Sequence, residues 1–385
     1  MPPIPVMTLS DLIQKSSGNF VKKELAKLAS KNQHFFRSLN RKWFFKDAPK
    51  LAKVFAQNPI GASIPKNGNS QIAQYIGLST LVHCIDGWVY LSRAIHTLIG
   101  GDISTAIHLI YYSELRAVMS LLATKGIGVF DQTHIAFDAS GNSFTHQLNT
   151  HKFVASCLPE IVKNTDFSAE IFSDINVLGT SLESIIASIG YNSTNMVNKS
   201  IANNLFDSWS VDISLSEDHN LRNESSYRPM FKRYEVKPSI LEKVLDLWEA
   251  LEPLTSNIFF KIDIAIAIAT LTKIANVTSL NYLDLVQKIE KVIQEPRITR
   301  ILRENNPKEL WLLNSASIDN GKRMSNFQDP FPMICRAILL NRLAMGQTRR
   351  FLPTVMSTSL DNWMEQTMIE LRILNPNLIP DSMDY

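Results

Sequence analysis

At 385 residues and 45% hydrophobic, the chain can bury a substantial core, as one large domain or two to three ordinary ones. A net charge of +3 and a pI near 8.6 set up no global field for nucleic acid, so any basic site must be local. Cys84, Cys157 and Cys335 are isolated and odd in number, which argues against a disulfide frame and fits buried thiols in a reducing, cytoplasmic setting. The opening MPPIPVMTLSDL lacks the charged start and apolar run of a signal peptide. The most apolar window, Ile258 to Ala269, is broken by Lys261 and Asp263 and is too short to span a bilayer. A soluble protein with no membrane association is expected.

In chain order, Thr8, Ser10 and Asp11 offer caps for a short helix from Ser10 to about Gln14. From Phe20 to Phe55 bases interleave with aromatics: Lys22, Lys23, Lys27, Arg37, Arg41 and Lys42 stand beside Phe35, Phe36, Trp43, Phe44 and Phe45. Such a stretch can track a phosphate backbone while its rings stack on bases, or it can be helices with solvated lysines and inward aromatics. Asn58 to Ser70, rich in Pro, Gly and Asn, reads as a joint.

A long helix is predicted from Gln71 to Ile99, apolar over much of its circumference, then a turn at Gly100-Gly101-Asp102. The organising element follows, a helix from Thr105 to Phe130 capped by Asp102 or Ser104 and closed by Gly126 and Gly128. The two make an antiparallel hairpin. The pattern then turns to period two through His134 to Asp138 and Ser143 to His146, a small β-hairpin around Ser140-Gly141-Asn142.

Helix returns over Phe153 to Val162 and over Phe167 to Ile189, the latter through Ile171, Ile175, Leu178, Leu182, Ile185 and Ile186. Gly190 to Asn203 reads as a loop, and Pro238 starts another helix. In Ile258 to Ala275 the isoleucines alternate as in a strand, yet the alanines between them and the length favour a buried helix. Helices are also expected over Leu280 to Gln294 and from Pro332 to a stop near Gly346, before a proline-broken tail.

No glycine-rich phosphate loop, HExxH, GxSxG or paired CxxC is present. Six of the eight histidines lie between His83 and His151; His134, His146 and His151 are near enough for a zinc set, but no cysteine or regular pair completes it. Two polar segments stand out: Tyr111-Tyr112-Ser113-Glu114-Leu115-Arg116, and Arg222-Asn223-Glu224-Ser225-Ser226-Tyr227. Together they resemble the HEPN superfamily and, within it, the YaaC-like proteins. There a Tyr-Tyr helix ending at a Lys-Gly turn packs against a helix carrying an Arg-Asn motif.

The resemblance covers roughly residues 71 to 260, and the 332 to 346 helix. It implies an all-α fold: a HEPN-like helical bundle over 71–260 with the β-hairpin at 133–147 inserted. A basic, aromatic helical region over 1–65 precedes the bundle, and a helical region over 261–385 follows it. In catalytic members an Arg is followed, after a short spacer, by a His, and RNA is cleaved without metal or cofactor across a dimer. Arg222 and Asn223 match the start of that motif, but Tyr227 fills the His position. A phenol titrating near 10 is a poor general base, so Tyr227 would hold a phosphate or Arg222 instead, and His219 is the candidate proton carrier.

Glu114, Arg116 and Tyr112, with Arg37, Arg41 and Lys42, are the candidate binding residues, and no metal or cofactor is expected. The alternative for Arg222 is a structural ion pair with Glu114, Glu217 or Asp218, with Asn223 and Ser225 capping a turn. Three functions follow. One is a catalytically degenerate RNA-binding or protein-interaction component of a prokaryotic defence or toxin-type system, self-associating and with a neighbour-encoded partner. Another is a divergent ribonuclease, and the third a structural subunit of a larger complex.

Overall fold

The computed structural model describes residues 5–31, 68–162, 165–191, 214–227, 238–251, 259–305, 310–316 and 329–370. Among the described residues, fifteen helices and two small antiparallel sheets make an all-α fold with a β insertion.

The chain opens with α1 (Leu9–Lys15) and α2 (Gly18–Lys31). Thr8 caps α1 by accepting the Asp11 N–H at 3.2 Å. In α2, Val21, Leu25 and Ala29 are buried at four-residue steps while Lys22, Lys23 and Lys27 stay exposed. As far as α2 reaches, the basic stretch is a solvated helix face. Arg37, Arg41, Lys42 and the aromatics around them lie outside the described residues.

α3 (Gly68–Ile99) and α4 (Ile103–Thr124) are the predicted hairpin, and Asp102 caps α4 by accepting the Thr105 N–H at 3.0 Å. From Ile110 to Thr124 every side chain of α4 is buried except Tyr112 and Arg116. The helix stops at Thr124, short of Phe130, because Gly126 takes a φ of +80° and turns the chain. Gly128 belongs instead to β1 (Ile127–Gly128). That strand pairs with β2 (Thr133–Phe137), which pairs with β3 (Ser143–Gln147), His134 opposite His146. The predicted hairpin is therefore part of a three-stranded sheet, followed by α5 (Thr150–Val162).

The single helix expected over Phe167 to Ile189 is broken. α6 (Thr165–Asp174) and α7 (Leu182–Ser188) flank a tight hairpin of β4 (Asn176–Val177) and β5 (Thr180–Ser181). Asn176 Oδ1 accepts the Gly179 N–H at 2.7 Å, and Gly179 takes a φ of +86°. An Asn side chain that closes a local turn, followed by a glycine free of Cβ strain, outcompetes the helix here.

Next come α8 (Ser214–Tyr227), α9 (Pro238–Leu251) and α10 (Phe260–Thr278). α10 buries Ile262, Ile264, Ile266 and Ile268 with Ala265 and Ala267, so the alternating isoleucines form a helix buried nearly all round. α11 (Tyr282–Val292), α12 (Pro296–Glu304) and α13 (Leu310–Ala316) precede α14 (Phe331–Phe351) and α15 (Thr354–Glu370). α14 runs through Gly346, the expected stop, and every residue from Phe331 to Thr348 is buried. A glycine inside a helix costs only about 1 kcal/mol, which the packing of such a segment offsets. Among the described residues, no single helix is long and apolar enough to cross a membrane.

Two compact units divide the chain, each drawn from three stretches: Met1–Tyr90, Tyr112–Ile161 and Leu343–Gln366 in one, Leu91–Tyr111, Val162–Arg342 and Thr367–Tyr385 in the other. In the first, the α3–α4 seam is antiparallel and polar at intervals. Ser113 Oγ donates to the Gly87 carbonyl and Ser120 Oγ to that of Thr80, both at 2.8 Å. In the second, Arg342 of α14 binds Asp263 of α10 through Nε and Nη2, at 2.8 and 2.9 Å. Its Nη2 also donates to the Asp174 carbonyl at 2.9 Å, and the Asn176 N–H donates to Asp263 at 3.0 Å. That buried pair ties the β4–β5 hairpin to two helices.

Candidate functional site

In the second unit α8 lies against the first turns of α4. Its sequence, SLSEDHNLRNESSY, has no apolar stripe. His219, Arg222, Asn223 and Ser226 fall at i, i+3, i+4 and i+7 and so share one face. The Tyr111 ring lies 5.5 Å from the His219 imidazole, and His108 Nδ1 lies 2.8 Å from Ser226 Oγ. α8 and the first turns of α4 therefore touch, through His108 and Tyr111 on the α4 side and Ser226 and His219 on the other. Asn223 joins the group internally. Its Oδ1 accepts from Arg222 Nη1 at 2.9 Å and its Nδ2 reaches His219 Nε2 at 3.4 Å.

The residues expected to cap a turn are helical, and Ser225 Oγ donates to the Arg222 carbonyl at 2.7 Å. Asp218, one of the carboxylates weighed as a partner for Arg222, accepts from Arg336 Nη2 of α14 at 2.6 Å, with both side chains buried.

His108, His219 and Arg222 are half-buried, which leaves them partly open to a ligand, and Ser226 is exposed. Burial, and then the Arg222 charge, hold both imidazoles below their ordinary value. Both are thus neutral bases at pH 7, next to a permanent cation. An incoming phosphate would be drawn to the guanidinium, and its charge would favour protonation of an imidazole. A base, a latent acid and an anion clamp in one place are the elements of phosphodiester chemistry.

Set against family models, curated proteins and solved structures, the chain matches none. The assignment of this face rests on its own geometry.

The other candidates fall elsewhere. Tyr227 closes α8, and its side chain is not among those described. Glu114 is fully buried. Tyr112 and Arg116 belong to the first unit, where Tyr112 packs on Tyr90 at 5.6 Å and on His151 at 6.5 Å between ring centroids. There Arg116 Nη1 donates to His83 Nδ1 at 3.0 Å and Nε faces Asp86 at 3.7 Å.

The histidine cluster is structural. His134 Nδ1 accepts the Phe130 N–H at 3.2 Å and its Nε2–H donates to the Leu148 carbonyl at 2.8 Å, while its ring stacks on Phe153 at 3.7 Å. His146 Nδ1 donates to the Met7 carbonyl at 2.9 Å. Among the described residues no group of three or more His, Cys, Asp or Glu is placed to hold a metal ion. All three cysteines are buried, and burial pushes the Cys84 thiol up to about 12.

Sequence reasoning missed His108, Ser226 and Arg336 as parts of this cluster. His108 had a signal: it stands three residues before Tyr111 and hence on the same face of α4. Arg336 had none beyond being a charged residue in an apolar helix.

Proposed function

We propose that the α4–α8 face binds the phosphodiester backbone of RNA, in a HEPN-like helical protein. The observation carrying this reading is Arg222 set beside two neutral imidazoles, His108 and His219, on a half-open face. A guanidinium suits a phosphate in charge and in fork geometry. The resemblance of the Tyr111–Arg116 and Arg222–Tyr227 segments to that superfamily adds RNA as the polymer. It also adds a prokaryotic defence or toxin-type setting, self-association and a neighbour-encoded partner.

His108 favours a second reading, metal-independent RNA cleavage. The imidazole that Tyr227 fails to supply would come from α4 instead, with His219 as its counterpart. One imidazole would take the proton of a ribose 2′-hydroxyl as that oxygen attacks phosphorus. The other, protonated in the complex, would give a proton to the departing 5′-oxygen.

One experiment tests both. Binding of a labelled single-stranded RNA is followed by anisotropy across a salt series, in chelator, for the wild type and Arg222→Ala. The reading expects affinity to fall by about tenfold or more in the variant, with a log–log salt slope shallower by about one. Equal affinity in both would end the binding reading. Cleavage in chelator that disappears in His108→Ala would support the nuclease reading, whereas cleavage surviving both imidazole substitutions would end it.

A further inference from the structure

We propose that Arg336 of α14 is a positioning residue for the α4–α8 site, setting α8 at the register where His219 and Arg222 meet Tyr111 and His108. The role rests on the RNA-binding reading for its functional consequence, but its structural content stands apart from it.

The argument starts from what α8 buries. Among its described side chains, the two that are buried are Asp218 and Ser225, while Leu221 is only half-buried. An ordinary surface helix docks by an apolar stripe, which tolerates small rotations and slips. Among the described side chains of α8 the largest one inserted is a carboxylate, and a buried carboxylate needs a countercharge of defined geometry. Arg336 supplies it at 2.6 Å, from a stretch of α14 in which every residue is buried. Asp218 immediately precedes His219 and lies one helical turn before Arg222. Fixing Asp218 therefore fixes both the height and the rotation of the two site residues. The Nη2 donor is fixed in the guanidinium plane and meets Asp218 through one bond, so the pair specifies a register that apolar contact would leave loose.

The readout is His108, which sits on a different helix and feels Arg222. Histidine titration is followed by NMR for the wild type, Arg336→Met and Arg336→Lys, alongside RNA affinity. With α8 out of register, the His108 midpoint in Arg336→Met rises toward 6.5 and RNA affinity falls about as far as in Arg222→Ala. The Lys variant, which keeps the charge but not the planar donor, falls between. A folded Arg336→Met with an unmoved His108 midpoint overturns the proposal. Should Arg336→Met not fold, Asp218→Asn, which keeps the shape and removes the charge, decides on the same readouts. If the wild type binds no RNA, the RNA reading fails alone, and the His108 midpoint still decides on Arg336.

Discussion

Arg116 donates from Nη1 to Nδ1 of His83 at 3.0 Å, so a permanent cation is held by a buried imidazole that must stay neutral. Burial first, and then the Arg116 charge, keep His83 well below the usual imidazole range. Replacing Arg116 with Met removes the smaller of those causes. The His83 midpoint, followed by NMR, should rise yet stay below 6.5. A midpoint that does not move would mean the guanidinium does not act on that ring.

His134 makes the acid limit of stability explicit. Burial, helped by the nearby His146 and opposed by the bond to the Leu148 carbonyl, lowers its folded-state value to about 4. The unfolded imidazole, near 6.5, takes a proton first as pH falls, so stability rises with pH across the window between the two. Between pH 7 and pH 4 this ring alone removes at most about 3 kcal/mol, because the unfolded imidazole takes up a proton that the buried ring does not. Urea midpoints at a series of pH values for the wild type and His134→Gln check this. The variant should be less stable at pH 7 and show a flatter decline, and parallel curves would refute the assignment.

The Arg342–Asp263 pair separates two meanings of a buried ion pair. Removing one partner, as in Arg342→Met, leaves a carboxylate inside the protein and should cost about 3–5 kcal/mol in equilibrium unfolding. The double replacement Arg342→Met with Asp263→Leu should recover much of that loss, since neither charge is then left buried. A double variant as unstable as the sum of the singles would show that the bonds to the Asp174 carbonyl and the Asn176 N–H dominate.

Two glycines with positive φ predict unequal costs for the same substitution. At Gly179 a Cβ meets nothing within 4 Å, so Gly179→Ala should cost about 1–2 kcal/mol of backbone strain alone. At Gly126 a Cβ would run into the Ser17 carbonyl, so Gly126→Ala should be clearly worse. Thermal midpoints rank them, and the reverse order would contradict the turn after α4.

Much of this fold was legible because helix burial leaves a periodic trace. The apolar positions of α3, α4 and α10, the turn at Asp102 and the hairpin around Gly141 all carried local signals. The break between α6 and α7 carried a misleading one: Ile171, Ile175, Leu178 and Leu182 keep helical spacing straight through the Asn176–Gly179 turn. The run of α14 past Gly346 was hidden for a related reason, since a glycine costs a helix only about 1 kcal/mol and burial of the surrounding segment can carry the helix through it. At the candidate site, the face shared by His219, Arg222 and Asn223 follows from spacing. Their neighbours did not, because His108 and Arg336 each lie more than a hundred residues from α8 in sequence, and periodicity reports that a residue is buried, not against what.

The small sheet has one more property. Thr145, in its outermost strand, gives its N–H to the Pro5 carbonyl and takes the Met7 N–H on its own carbonyl, each at 2.9 Å. The rim that would otherwise offer open ladder positions to a foreign strand is thus plugged by the protein's own leading residues. Strip residues 1–7 away and that rim becomes a template for edge-to-edge polymerisation, visible as concentration-dependent light scattering. With residues 5–7 in place, the backbone of Thr145 is closed to strand addition by a second copy.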